Sequence, residues 1–130
     1  MFRLQVERVI SAAHAIEING EREAVHGHDW RVRVRVEGPR LDGDGLLCDF
    51  HALELDLDEV LAPFHNMNLN SVPPFDEVNP TAERFAEHIA MCMLDRLPPG
   101  ILSLETSVTE APGCEATVSL EVTAAQEQAK

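Results

Sequence analysis

The stretch EAVHGHDWRVRVRVEGP, residues 23–39, decides the fold. From Trp30 onward, Trp30, Val32, Val34 and Val36 alternate with Arg31, Arg33, Arg35 and Glu37. Successive strand side chains point to opposite faces, so this segment has one apolar face and one charged face. It reads as a strand covered on one side only. Gly38-Pro39 ends it, because proline has no N–H to give to a ladder. The same parity carries His26 and His28 onto the apolar face of Trp30 and Val32, at the start of the strand. Gly27 between them lets backbone come close to a shared ion.

Upstream, Phe2, Leu4, Val6 and Val9 suggest a first strand running to about Ile10, followed by a mostly polar loop over residues 15–25. Ser11-Ala12-Ala13-His14 lies just past that strand. If the two strands pair as a hairpin, His14 comes round to meet His26 and His28. Three neutral imidazoles with a fourth position left open is the catalytic pattern for zinc, whereas a structural site would call for a fourth protein ligand. An H-x-H pair also arises by chance, so spacing alone leaves the site open.

Downstream, Asp49 is a candidate N-cap for a helix through roughly Leu61, with Phe50, Leu53, Leu57, Val60 and Leu61 on one stripe. Pro63 stops it. Residues 64–78 are irregular. Asn79-Pro80 predicts a second helix, with Asn as cap and Pro at the first helical position. Phe85, Ile89, Met93 and Leu94 form its apolar face, and Pro98-Pro99-Gly100 closes it. Two strands follow, near 101–110 and 115–123. The order is β-β-α-α-β-β, an α+β arrangement with an antiparallel sheet and both helices on one face. Residues 1–123 read as a single domain, and residues 124–130 as a polar tail.

The 130 residues suit one domain. With 10 basic against 23 acidic residues, the net charge of −13 argues against nucleic-acid or membrane-surface partners. The start, MFRLQVERVI, alternates like a strand and lacks the regions of a signal peptide, which predicts a cytoplasmic protein. Cys48, Cys92 and Cys114 are odd in number and widely spaced, and imply free thiols rather than a disulfide framework.

Five segments in order carry a family resemblance: Ser11-Ala12-Ala13-His14, Glu23 to Trp30, Gly45-Leu46-Leu47-Cys48-Asp49-Phe50, Asn79-Pro80-Thr81-Ala82-Glu83 and Val108-Thr109-Glu110. Together they resemble the 6-pyruvoyl-tetrahydropterin synthase family, which includes 6-carboxy-tetrahydropterin synthase, over about residues 1–123. The resemblance implies the tunnelling fold, whose sheets assemble in threes into a barrel and whose barrels stack to a homohexamer. It implies catalytic zinc on His14, His26 and His28, and a pterin substrate. Glu110 matches the glutamate that anchors the pterin ring, and a carboxylate can accept two parallel hydrogen bonds from the ring N–H and exocyclic amine. Thr81 matches a threonine near the same ring.

The departures from that pattern are informative. The usual members carry a cysteine four residues before the first histidine of H-G-H, where this chain has Arg22. They carry an Asp-His pair before the second helix, where this chain has His65-Asn66. Glu23 instead resembles the type III branch, with its E-x-x-H-G-H motif, which is associated with converting 7,8-dihydroneopterin triphosphate to 6-hydroxymethyl-7,8-dihydropterin on the folate route. The resemblance thus implies a zinc-dependent lyase with Glu23 as general base, while His65, one residue away from the family's histidine, is a candidate proton shuttle. The alternatives are a 6-carboxy-tetrahydropterin synthase of the queuosine route, a catalytically silent pterin-binding homologue and, more distantly, an unrelated zinc hydrolase. Arg31, Arg33 and Arg35 read as a solvated stripe, or as the lining of a basic channel if three copies close a barrel.

Overall fold

A computed structural model describes residues 1–123; the predicted tail lies outside the described residues. Strand β1 (Phe2–His14) pairs antiparallel with β4 (His26–Gly38), and the ladder runs unbroken from Phe2 opposite Gly38 to His14 opposite His26. The first strand therefore continues past Ile10 and ends on His14 itself. Ala12 and His14 are buried in its last turn of pleat, so the apolar face extends into the small residues.

Between these strands, residues 15–25 are not all loop. They contain a short hairpin, β2 (Glu17–Ile18) with β3 (Glu21–Arg22), turned by Asn19 and Gly20. Both turn residues have positive φ, 54° and 81°, the geometry that favours Asn-Gly in two-residue hairpins.

After β4 come α1 (Phe50–Leu61), the two-residue strand β5 (Met67–Asn68), α2 (Ala82–Leu94), β6 (Ser103–Ala111) and β7 (Cys114–Glu121). The sheet order is β5-β1-β4-β6-β7, with β5 parallel to β1 and the other pairings antiparallel. Asp49 caps α1 as expected, its carboxylate accepting from His51 N. Leu53, Leu57, Val60 and Leu61 are buried, whereas Phe50 is about half exposed and leaves the predicted stripe. The cap of α2 is Thr81, whose Oγ1 accepts from Arg84 N at 3.1 Å, rather than Asn79. Asn79 has other work: its amide clasps the backbone of Glu17, accepting from N and donating to O at 2.9 Å each. Asn70 does the same to Ala15 at 2.8 Å each. These two amides act as a neighbouring strand would and hold the chain just beyond His14.

Both helices cover the face of Trp30, Val32, Val34 and Val36, all wholly buried. Each such side chain contributes about 1.5–3 kcal/mol of transfer free energy. Trp30 lies edge-on to Phe85 of α2 and donates its indole N–H to Ala12 O at 3.1 Å, joining core to strand end. The opposite face holds the arginine stripe. Arg33 pairs with Glu7 and Glu115, and Arg35 with Glu105 and Gln5, so neighbouring strands supply much of the counter-charge. Among the described residues, no helix is long and apolar enough to cross a membrane.

Candidate metal centre

The β1–β4 register sets His14 directly opposite His26, and parity puts His28 on the same face two residues along. The Nε2 atom of His14 lies 3.1 Å from that of His26 and 3.2 Å from that of His28. His14 is 1% exposed at the base of the group, edge-on to Trp30, and His28 is partly buried.

A fourth group joins them. Glu110 places Oε1 2.8 Å from His28 Nε2 and 3.2 Å from His14 Nε2. One ligand atom from each of the four residues lies within 4.8 Å of all the others. Glu110 falls in a β-bulge of β6, between the Thr109–Glu115 and Ala111–Cys114 pairs, and shares the parity of buried Val108. Bulges re-aim side chains in this way.

The tautomers are fixed from outside. His14 Nδ1 is 2.9 Å from Pro80 O, and His26 Nδ1 is 2.9 Å from Ala24 O. A carbonyl oxygen can only accept, so both Nδ1 atoms donate, and in the neutral rings both Nε2 atoms are left as bare lone pairs. Two such acceptors 3.1 Å apart, beside a carboxylate, repel one another unless a cation lies between them. Carbonyls on the far ring nitrogen are also the usual orienting contacts of metal-bound histidines. The donor set therefore fits a divalent metal ion. Burial, the largest influence, holds His28 below the ordinary histidine range; Glu110 opposes this, and His14 and His26 reinforce it. A neutral His28 is the form that can ligate.

The other predicted residues fall at differing distances from this centre. Glu23 is beside it, with Oε1 3.7 Å from His26 Nε2, fixed by a hydrogen bond from Ile16 N at 3.1 Å. Its own N–H donates to Ile16 O at 3.0 Å, so the short hairpin holds it at both ends. Thr81 follows Pro80, whose carbonyl orients His14, and its hydroxyl caps α2. His65 is exposed in the turn after α1 and stands outside the converging group. Next to it, Asn66 N donates to Ser11 O at 2.6 Å, and Asn66 shares a surface depression with Ser11, Gly27 and His28. No local sequence signal announces Glu110 as a neighbour of the histidines, Pro80 as the support of His14, or Asn70 as the clasp on Ala15.

A five-stranded sheet with two helices on one face, ending in three histidines and a glutamate that could hold a metal ion, has the architecture of the tunnelling fold. The solved 6-pyruvoyl tetrahydropterin synthase of Plasmodium falciparum superposes with a TM-score of 0.78, covering 92% of this chain and 98% of that one at 20% identity. The chain belongs to the 6-pyruvoyl tetrahydropterin synthase family, which it matches over residues 3–121, and so to a family of pterin-processing enzymes. It is 34% identical over 110 residues to the dihydroneopterin monophosphate aldolase of Pyrococcus furiosus, covering 85% of this chain and 89% of that protein. It is 42% identical over 55 residues to the 6-carboxy-5,6,7,8-tetrahydropterin synthase of Bacillus subtilis, covering 41% and 38% respectively.

Proposed function

We propose that this chain is a zinc-dependent lyase that cleaves the side chain of a phosphorylated 7,8-dihydroneopterin to give 6-hydroxymethyl-7,8-dihydropterin. The observation that carries the reading is Glu23, a carboxylate held beside the histidine cluster at 3.7 Å from His26 Nε2. The spacing of the ring nitrogens suits zinc. Tetrahedral Zn–N bonds of about 2.0–2.1 Å put ligand atoms about 3.3–3.4 Å apart, close to the 3.1 and 3.2 Å found here.

Zinc bound there would acidify a side-chain hydroxyl of the substrate and stabilise the negative charge left on its oxygen. Glu23 accepts the proton of the second side-chain hydroxyl. The bond between the first and second side-chain carbons then breaks, its electron pair passing into the ring C=N, and an aldehyde fragment leaves. Return of a proton to the first carbon gives the hydroxymethyl product. In this reading Glu23, beside the histidines, serves both transfers, and exposed His65 exchanges protons with solvent. Glu110 would anchor the pterin ring through its N–H and amine, and Thr81, which keeps a hydroxyl proton to donate after capping α2, would serve the same ring.

Resemblance to the type III branch favours the triphosphate as substrate, and the Pyrococcus furiosus relative is named for the monophosphate. The 6-carboxy reaction is the second reading, supported by the relative from Bacillus subtilis over part of the chain. We also propose a homohexamer built from trimers, because β7 and much of β1 leave open sheet edges. A monomeric mass in solution would contradict that assembly.

The test is to incubate zinc-loaded protein with each phosphate and identify products by mass spectrometry. A hydroxymethyl pterin supports the proposal. A carboxy pterin supports the second reading, and bound but unaltered substrate would mark a silent homologue.

A further inference from the structure

We propose that Glu110 is an exchangeable fourth metal ligand, holding the ion in the resting protein and leaving it when a pterin ring takes its carboxylate. This rests on the reading of the histidines as ligands and of Glu110 as the ring's anchor.

Three observations lead there. First, one oxygen of Glu110 makes both contacts with the site, at 2.8 Å to His28 and 3.2 Å to His14. Second, the four groups are tethered unequally. His14 and His26 are each locked through Nδ1 by a peptide carbonyl. Among the described residues, the partners of the Glu110 carboxylate are only the two imidazoles. Its side chain is 28% exposed, against 1% for His14. It also sits in a bulge rather than a regular ladder. Third, Glu110 and His28 together line a depression of about 560 Å³ with Val9, Asp29, Arg31 and Thr109. That volume lies within the roughly 300–1,000 Å³ range of small-molecule sites, so a ligand can reach the carboxylate from the side away from the locked histidines.

The exclusivity is one of orientation, because each carboxylate oxygen keeps a second lone pair but both oxygens must turn to the ring. Gripping a ring N–H and its exocyclic amine in parallel uses both carboxylate oxygens. Oε1 then no longer faces the imidazoles. Capture of the ring frees a coordination position for a side-chain oxygen of the same substrate, so Glu110 couples recognition to activation and shields the metal when no substrate is present.

Cobalt(II) as a spectroscopic stand-in for zinc tests this without turnover. The protein is stripped with chelator, titrated with cobalt and followed in the visible, alone and with 6-methylpterin, which has the ring donors but no side-chain hydroxyl. Glu110→Gln should weaken cobalt binding by at least the roughly 10- to 100-fold that outer-shell partners cost and should change the ligand-field bands. Bound 6-methylpterin should shift the bands of the unaltered protein and leave those of Glu110→Gln as they are. Cobalt affinity and bands unmoved by Glu110→Gln would overturn the proposal while sparing the three-histidine site. Bands that ignore a pterin shown to be bound by its fluorescence would overturn the exchange. Failure of cobalt to bind at all, or of pterin to bind, would overturn it together with the functional reading beneath it.

Discussion

Glu23, which follows β3, and His26, which opens β4, are three residues apart, and their Oε1 and Nε2 atoms lie 3.7 Å apart. The Asn19-Gly20 hairpin folds the chain back so that Ile16 N holds the carboxylate in place. Gln at this position keeps the acceptor oxygen but removes the base. Glu23→Gln should lower kcat by about 10²–10⁴-fold while leaving pterin affinity and metal content unchanged. Normal turnover in that variant would remove Glu23 as base.

Gly38 ends β4 where the backbone of Gly100 crosses it. A Cβ there would meet Gly100 O at 2.5 Å and Leu47 Cδ1 at 2.7 Å. The carbonyl belongs to backbone and cannot swing aside. Gly38→Ala should destabilise the protein by about 1–3 kcal/mol, read from denaturant unfolding, with little change in metal affinity.

Thr106 points into the core with its hydroxyl wholly buried and without a hydrogen-bond partner. Leaving a hydroxyl unsatisfied in the interior is costly, and valine fills nearly the same space. Thr106→Val should raise stability by about 1 kcal/mol, measured as a higher denaturation midpoint at unchanged slope. A loss of stability would mean that the hydroxyl has a partner after all.

How much of this was legible in the chain follows from how local each signal is. The β4 alternation, the Asp49 cap and the apolar faces of the helices are written in neighbouring residues, and they hold, Phe50 excepted. His14, His26 and His28 come together because strand parity and antiparallel pairing are simple rules. The hairpin in residues 15–25 was also legible in Asn19-Gly20, but its flanking strands are two residues long and exposed, so they carry no alternation. The expected cap of α2 was Asn79, and the cap found is Thr81. The choice fell to Thr81 because the Asn79 amide is held by Glu17, a partner 62 residues away. Glu110 reaches the histidines through a bulge set by β6–β7 register, which no local pattern announces.

His88 packs edge-on to Phe64, beside Phe75 and near Cys92, and burial lowers its pKa below the ordinary 6.5. The unfolded chain therefore takes up a proton at a higher pH than the folded one. The stability this neutral ring contributes is complete above about pH 6.5 and is lost as pH falls from there towards the folded pKa. His88→Met should flatten the fall in unfolding free energy between about pH 7 and 5. An unchanged slope in that window would contradict the assignment.

A site in which three imidazoles share one ion is tested most directly by X-ray absorption at the zinc edge of the zinc-loaded protein. It predicts three imidazole nitrogens at about 2.0–2.1 Å, and one fewer in His14→Ala. Sulfur scatterers at about 2.3 Å, or a protein that retains no zinc, would contradict it.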